Sequence, residues 1–298
     1  MLHCLKRHLP WVLCVAVVAG CGGSGEPRVP TLTRSYRLPA RGDRVAVGAG
    51  GRVYYTVSGG SPMGRPMGGP RNELQLVEAN SKPGYPLKLE PGTQIKTVLA
   101  DDKGLLYVGV REAGKDQLWV FPEQWEGKTP EAKAKLTPEL PGDLNGLFLG
   151  RESGTLFALC GDKWIVELKT DGTVARTIEL PGDSRPEDGG IDAQGNLYVR
   201  RTSGPVVKVK PDGTVDRAWA KTEAAAITSV RSVAVDSRGL VYVAASEGDV
   251  SLRAFDSSGA LVFNILTEEL KYAPERILVT PRDVLYAVEG AKVLEFRP

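Results

Sequence analysis

At six places the chain carries a residue eight positions ahead of a turn residue, and most of those residues can do chemistry. The turn residues are Gly51, Gly104, Gly154, Gly195, Gly239 and Asp283; ahead of them stand Asp43, Lys96, Gly146, Glu187, Arg231 and Glu275. Asn145 lies beside Gly146, and Asp188 beside Glu187. The candidate ligand-binding set is therefore Asp43, Lys96, Asn145, Glu187, Asp188, Arg231 and Glu275. Its carboxylate and amide oxygens suit a small polar ligand or a hard cation such as calcium. Lys96 and Arg231 bring two positive charges into the same set, which disfavours a divalent ion there. Acids and bases pairing along a water-filled channel is the plain alternative.

The chemistry that the chain lacks is better defined. Its histidines are His3 and His8, both in an N-terminal targeting segment. Beyond that segment there is no histidine for Ser-His-Asp or Cys-His catalysis or for a His-ligated metal. Cys160 closes the apolar run TLFALC and reads as a small buried residue rather than a reactive thiol. The segment 59–71 (GGSPMGRPMGGPR) holds Met63 and Met67 between Arg65 and Arg71. Two thioethers alone make a weak copper site, so this segment is either an adaptable partner contact or a Gly/Pro insertion. Trp125, in the turn 122–135, reads as packed on its own repeat unit. The run GGSG at 22–25 has no strand before it and no Lys-Ser/Thr after it, so it is not a phosphate loop. No catalytic residue, resident metal or cofactor is expected.

The elements that position the set come from an internal repeat. Its second strand recurs as GRVYYTV (51–57), GLLYVGV (104–110), GTLFALC (154–160), GNLYVRR (195–201), GLVYVAA (239–245) and DVLYAVE (283–289). One aromatic column results: Tyr54, Tyr107, Phe157, Tyr198, Tyr242 and Tyr286. Each copy has a short apolar strand before it and another after it, with period-two alternation. Fourth strands follow turn dipeptides, as in TVARTIEL (173–180), TVDRAWA (214–220) and ALVFNIL (260–266). Short helical turns are expected at 221–228 and 267–271. Four short antiparallel strands per unit describe a propeller blade. The predicted fold is all-β, a six-bladed β-propeller of four-stranded antiparallel blades over residues 31–298. The sixth unit lacks a fourth strand, and TLTRSYRLP (31–39) is predicted to supply it and close the ring from the N-terminus.

The repeat pairs an apolar strand ending in Asp with Gly-Asn, then apolar-Tyr-Val, then Val-x-Lys-Val-x-Pro-Asp-Gly. The stretches 191–199 (IDAQGNLYV) and 233–243 (VAVDSRGLVYV) carry it best. This pattern resembles the NHL-repeat propellers, and more distantly the gluconolactonase-like propellers. The NHL resemblance implies a propeller and no single activity. The gluconolactonase resemblance implies a calcium ion held by Glu, Asp and Asn oxygens at the channel mouth, with a carboxylate assisting lactone hydrolysis.

The N-terminus gives an address. Lys6 and Arg7 precede the apolar run WVLCVAVVAG (11–20), which is too short to span a bilayer as a helix and fits a secretion signal. The run ends Val18-Ala19-Gly20-Cys21, which resembles the lipobox of bacterial lipoproteins, implying cleavage before Cys21 and its lipidation. Residues 1–20 are then a lipoprotein signal peptide and 21–30 a flexible tether. Without the signal, 36 basic residues face 36 acidic ones, which gives no footprint for nucleic acid. The expectation is an extracytoplasmic protein of a bacterial cell envelope, lipid-anchored to the membrane, acting as a binding or scaffold module for an envelope protein or small solute. The alternative is a calcium-dependent, lactonase-like hydrolase at the channel mouth.

Overall fold

A computed structural model describes residues 28–48, 50–57, 72–78, 82–125, 127–150 and 155–298. Strand β1 (Thr31–Arg37) precedes blade 1, which comprises β2 (Gly42–Val47), β3 (Val53–Val57), β4 (Glu73–Val77) and β5 (Leu87–Lys88). Blade 2 is β6 (Gln94–Ala100), β7 (Leu105–Glu112), β8 (Lys115–Pro122) and β9 (Ala134–Leu136). Blade 3 is β10 (Leu144–Leu149), β11 (Leu156–Cys160), β12 (Trp164–Leu168) and β13 (Val174–Glu179). Blade 4 is β14 (Pro186–Ile191), β15 (Leu197–Arg201) and β16 (Val207–Val209). Blade 5 is β17 (Val230–Val235), β18 (Val241–Ala245), β19 (Leu252–Phe255) and β20 (Leu261–Asn264). Blade 6 is β21 (Arg276–Val279), β22 (Leu285–Glu289) and β23 (Lys292–Arg297), completed by β1. The predicted six-bladed ring is therefore the fold.

The first strands of the blades, β2, β6, β10, β14, β17 and β21, contact one another around the ring and line its centre. They run in one direction, so the molecule has two unlike faces. One is the entry face, where the inner strands begin and where the second and third strands of each blade are joined. The other is the turn face, where the inner strands end.

Apolar clusters lie between neighbouring blades. One joins Tyr54 and Leu74 of blade 1 to Leu106 and Trp119 of blade 2. Another joins Tyr198 and Val206 of blade 4 to Val233 and Phe255 of blade 5. A single blade is a thin sheet that cannot bury both faces, so each blade supplies half of two cores.

The turn face explains the repeat. Asp101, Asp192 and Asp236 each end an inner strand and accept the backbone N–H four residues on, from Leu105 at 2.7 Å, Asn196 at 2.8 Å and Leu240 at 2.9 Å. Each also accepts the hydroxyl of its blade's tyrosine: Tyr107 at 3.3 Å, Tyr198 at 3.0 Å and Tyr242 at 3.2 Å. The turn glycines Gly104, Gly195 and Gly239 sit at φ of 78°, 83° and 84°, a conformation that only glycine adopts cheaply. Burial, with the adjacent carboxylate, pushes the Tyr107 hydroxyl up to about 12 and those of Tyr198 and Tyr242 higher still. These hydroxyls stay protonated and act as structural donors.

Blade closure follows from β1. It pairs antiparallel with β23, from Thr31 opposite Arg297 to Arg37 opposite Lys292, so a strand from before blade 1 completes blade 6. Strand β1 starts on the turn face and ends on the entry face, opposite the start of β23.

One expectation on local structure is corrected. The segment TVDRAWA (214–220) is not a fourth strand, and blade 4 has three. Val215 makes one bridge to Val209, then the Asp216 carboxylate accepts the Ala218 N–H at 3.0 Å and bends the chain away. Trp219 turns inward instead, donating from Nε1 to the Val206 carbonyl at 2.9 Å and packing edge-on to Tyr198. Single-turn 3-10 helices at Trp219–Lys221 and Ala224–Ala226 follow, while Thr267 to Leu270 forms a hydrogen-bonded turn. Trp125 packs against the core that its own blade shares with blade 1: its ring lies 5.7 Å from that of Tyr54, and its Nε1 donates to the Tyr85 carbonyl at 2.8 Å.

Candidate functional site

The inner strands do not run straight into the channel. In blades 1 to 5 each has a β-bulge near its start. The residue skipped by the register is Lys96 in β6, Asn145 in β10, Glu187 in β14 and Arg231 in β17. A bulge re-aims side chains, and here it separates those residues from the ones that follow them. The residues opposite the second position beyond the aromatic column are Thr97, Gly146, Asp188, Ser232 and Arg276. Thr97, Asp188 and Ser232 are buried.

This inner level holds a polar cluster shared by three blades. The Ser232 hydroxyl donates to Asp188 Oδ2 at 2.5 Å and accepts the Ile277 N–H at 3.0 Å. The Val233 N–H donates to Asp188 Oδ2 at 3.2 Å, and Arg276 Nη1 lies 3.2 Å from Asp188 Oδ1. Asp188 alone of these was in the sequence-derived set. Ser232 and Arg276 lie seven residues ahead of the turn, so a count of eight passes them by one residue. The tyrosine column was the signal that could have found them, since both lie opposite the residue two beyond it.

Below this cluster the channel is apolar. A cavity of about 490 Å³ is lined by Leu99, Leu147, Phe148, Val233 and Leu278 among others, with Asp188 and Arg276 toward the entry face and Asp102 and Lys103 at the turn face. Gly189 and Gly190 keep the blades close: a Cβ on Gly189 would stand 2.8 Å from the Phe148 ring, and one on Gly190 2.9 Å from Val235.

The other members of the set are dispersed over the entry face, and two of them, Glu187 and Asn145, are already engaged. Glu187 takes Arg185 at 2.7 Å and also Arg200. Burial opposes its ionisation, but the two arginines outweigh that and hold its carboxyl below the usual range. Asn145 Nδ2 donates to the Gly161 carbonyl at 2.7 Å. Lys96 is half-buried and Asp43 exposed. Neighbouring Asp143 is held by Arg111, whose hydrogen bond lowers its pKa.

Arg231 and Glu275 do come together. They line an entry-face cleft of about 770 Å³ between blades 5 and 6 and the end of β1, together with Arg37, Arg41 and Tyr272. Glu275 is paired with Arg41, and Arg231 Nε donates to Ser246 Oγ at 2.5 Å.

Among the described residues no three His, Cys, Asp or Glu side chains are grouped to hold a metal ion. Cys160 is buried, and burial pushes its thiol up to about 12. No described helix is long and apolar enough to cross a membrane. Residues 1–20, Cys21 and the Met63/Met67 segment lie outside the described residues.

No protein-family model matches the chain, and no curated protein does. Solved structures do match in fold. A protein of unknown function from Bacteroides caccae superposes with a TM-score of 0.58 at 12% identity, over 80% of this chain and 86% of that one. Virginiamycin B lyase from Staphylococcus aureus gives 0.57 at 14% identity, over 89% and 98% of the two chains. A catalytically inactive variant of that lyase, a histidine replaced by alanine, with quinupristin, gives 0.57 at 14% identity, over 89% and 87%. At these identities the likeness is one of fold.

Proposed function

We propose that the chain is a binding module: an NHL-like propeller, lipid-anchored through Cys21 on the extracytoplasmic side of a bacterial envelope, that presents its entry face to a protein or small solute. The observation that carries this reading is the open entry-face cleft, set beside acids that are individually tied up. Glu187 is engaged by two arginines, Glu275 by Arg41, and Asp188 by Ser232 and Arg276. A calcium ion at Glu187 or Asp188 would have to displace those cations, which speaks against the lactonase-like alternative. The lyase-type alternative is weakened by composition. The inactive form of the neighbouring lyase lacks a histidine, and here the histidines are His3 and His8, ahead of the propeller.

The topology supports the anchored arrangement. The segment 21–30 leads into β1 at the turn face, so an anchor at Cys21 attaches at that face and leaves the cleft on the opposite one. A ten-residue tether reaches at most ~30 Å. The test is cross-linking in intact envelopes followed by mass spectrometry, with photoreactive residues at Asp43 and Arg231 and, as controls, at Asp171 and Asp212 on the turn face. The reading requires adducts from the entry-face positions only. Adducts from neither face, or equally from both, would count against it. Replacing Cys21 by Ser should abolish lipid labelling and release the protein from membranes.

A further inference from the structure

We infer that the entry-face cleft binds a small organic polyanion, one carrying two or more carboxylate or phosphate groups. The inference rests on the binding-module reading and names its ligand class. Five cationic side chains line the cleft against two carboxylates, whereas basic and acidic residues balance over the chain beyond residue 20. Both carboxylates are already used. Glu275 pairs with Arg41, and Glu289 lies 3.9 Å from Lys292 and accepts the Tyr272 N–H at 3.0 Å. Lys292 is further engaged by Glu269 at 3.4 Å. Arg37, Arg231 and Lys271 are left with no acid at ion-pair distance among the described residues.

These three cations come from separate elements converging on one space: the end of β1, the bulge of β17 and the loop before β21. Ser246 fixes Arg231 through Nε, and neither Nη has a protein partner among the described residues. A guanidinium held this way offers two parallel donors, the geometry that matches a carboxylate or phosphate edge. The nearby carboxylate of Glu247 is turned to the Thr228 and Ser229 N–H groups at 3.0 and 3.4 Å and is not at ion-pair distance from Arg231. Tyr272, 74% exposed beside the cations, offers a flat face for the body of the ligand. Three unpaired cations around one bounded cleft fit a compact multivalent anion and not a long polymer, which would need a charged stripe.

The test is calorimetric titration of the full-length protein in a non-ionic detergent with citrate and, separately, pyrophosphate, at low and at high sodium chloride. One or both should bind at a single site, with affinity that falls as salt rises. Citrate alone binding assigns a carboxylate ligand, and pyrophosphate alone a phosphate one. Arg37→Gln combined with Arg231→Gln should weaken binding about tenfold or more while leaving the melting temperature unchanged. Should that double variant lose stability, the exposed Lys271→Gln is the substitute and should weaken binding severalfold. Absence of binding by both anions, or undiminished binding in folded variants, overturns the inference. In that case envelope cross-links from Asp43 and Arg231 would still stand as independent support for the binding module.

Discussion

The two faces of the ring are built on different rules. On the turn face the same three residue types recur at the same offsets: Asp101, Gly104 and Tyr107 in blade 2, Asp192, Gly195 and Tyr198 in blade 4, and Asp236, Gly239 and Tyr242 in blade 5. On the entry face the bulged position holds four unlike side chains, Lys96, Asn145, Glu187 and Arg231. The blades that break the turn-face rule show what it is for. Blade 3 has Gly150 where blades 2, 4 and 5 have Asp, and its aromatic is Phe157, which has no hydroxyl to satisfy and stacks on Phe148 at 5.1 Å instead. Blade 6 has Thr280 there, and the Tyr286 hydroxyl turns to Glu295 at 3.1 Å. Blade 1 has Gly48, and the buried Glu123 of blade 2 enters the vacated space, its carbonyl accepting the Tyr54 hydroxyl at 2.5 Å. Where the strand-end carboxylate is absent, either the aromatic carries no hydroxyl, as in Phe157, or another buried oxygen accepts it, as for Tyr54 and Tyr286. The motif most visible in the sequence is therefore scaffold, and variation is free to accumulate on the other face.

Breaking the turn-face rule should cost most. Asp236→Ala strands the Leu240 N–H, the Tyr242 hydroxyl and the Arg238 guanidinium, and should lose about 3–5 kcal/mol in urea unfolding. A loss under ~1 kcal/mol would deny the carboxylate its structural role. Gly48→Asp should lose about 1–3 kcal/mol, because a Cβ there lies 1.8 Å from Glu123 Oε1. Adding Glu123→Ala should return part of that stability by converting blade 1 to the blade 2 arrangement, and no recovery would show that Glu123 is not the substitute. On the other face, Asp188→Asn at the buried three-blade cluster should cost about 1.5–3 kcal/mol.

The smallest effect belongs to Glu187→Gln, at about 0.5–1 kcal/mol near neutral pH. Its pH dependence has a definite sign. The Glu187 pKa is lower folded than unfolded, so its contribution is present above the unfolded carboxylate range and disappears as pH falls through the folded value. The unfolding curves of Glu187→Gln and the parent protein should therefore converge in acid. Curves that stay parallel to low pH would mean that the two arginines contribute nothing through charge.

Much of this fold is legible in the sequence because the signals are local. The aromatic column marks the second strand of all six blades, glycines at positive φ precede it in blades 1, 2, 4 and 5, and the missing fourth strand of the sixth unit points to residues 31–39 as the closing strand. The inner polar level is less legible, because a bulge leaves no mark in residue type: Ser232 and Arg276 look like any polar residues opening an apolar strand. The fourth strand of blade 4 fails for a similar reason. TVDRAWA alternates properly, but Asp216 caps a turn and Trp219 gains more by covering Tyr198 than by continuing outward. Glu123 is harder still, since its role depends on a glycine missing its carboxylate in another blade.

The closing strand has a mechanical consequence. β1 enters at the turn face and runs toward the entry face, so tension on residues 28–30 directed away from the turn face acts along the strand axis. It loads the register pairs from Thr31–Arg297 to Arg37–Lys292 together, in shear, instead of peeling them one at a time. Tension so directed meets the clasp in its stiffest direction and does not open the blades one by one.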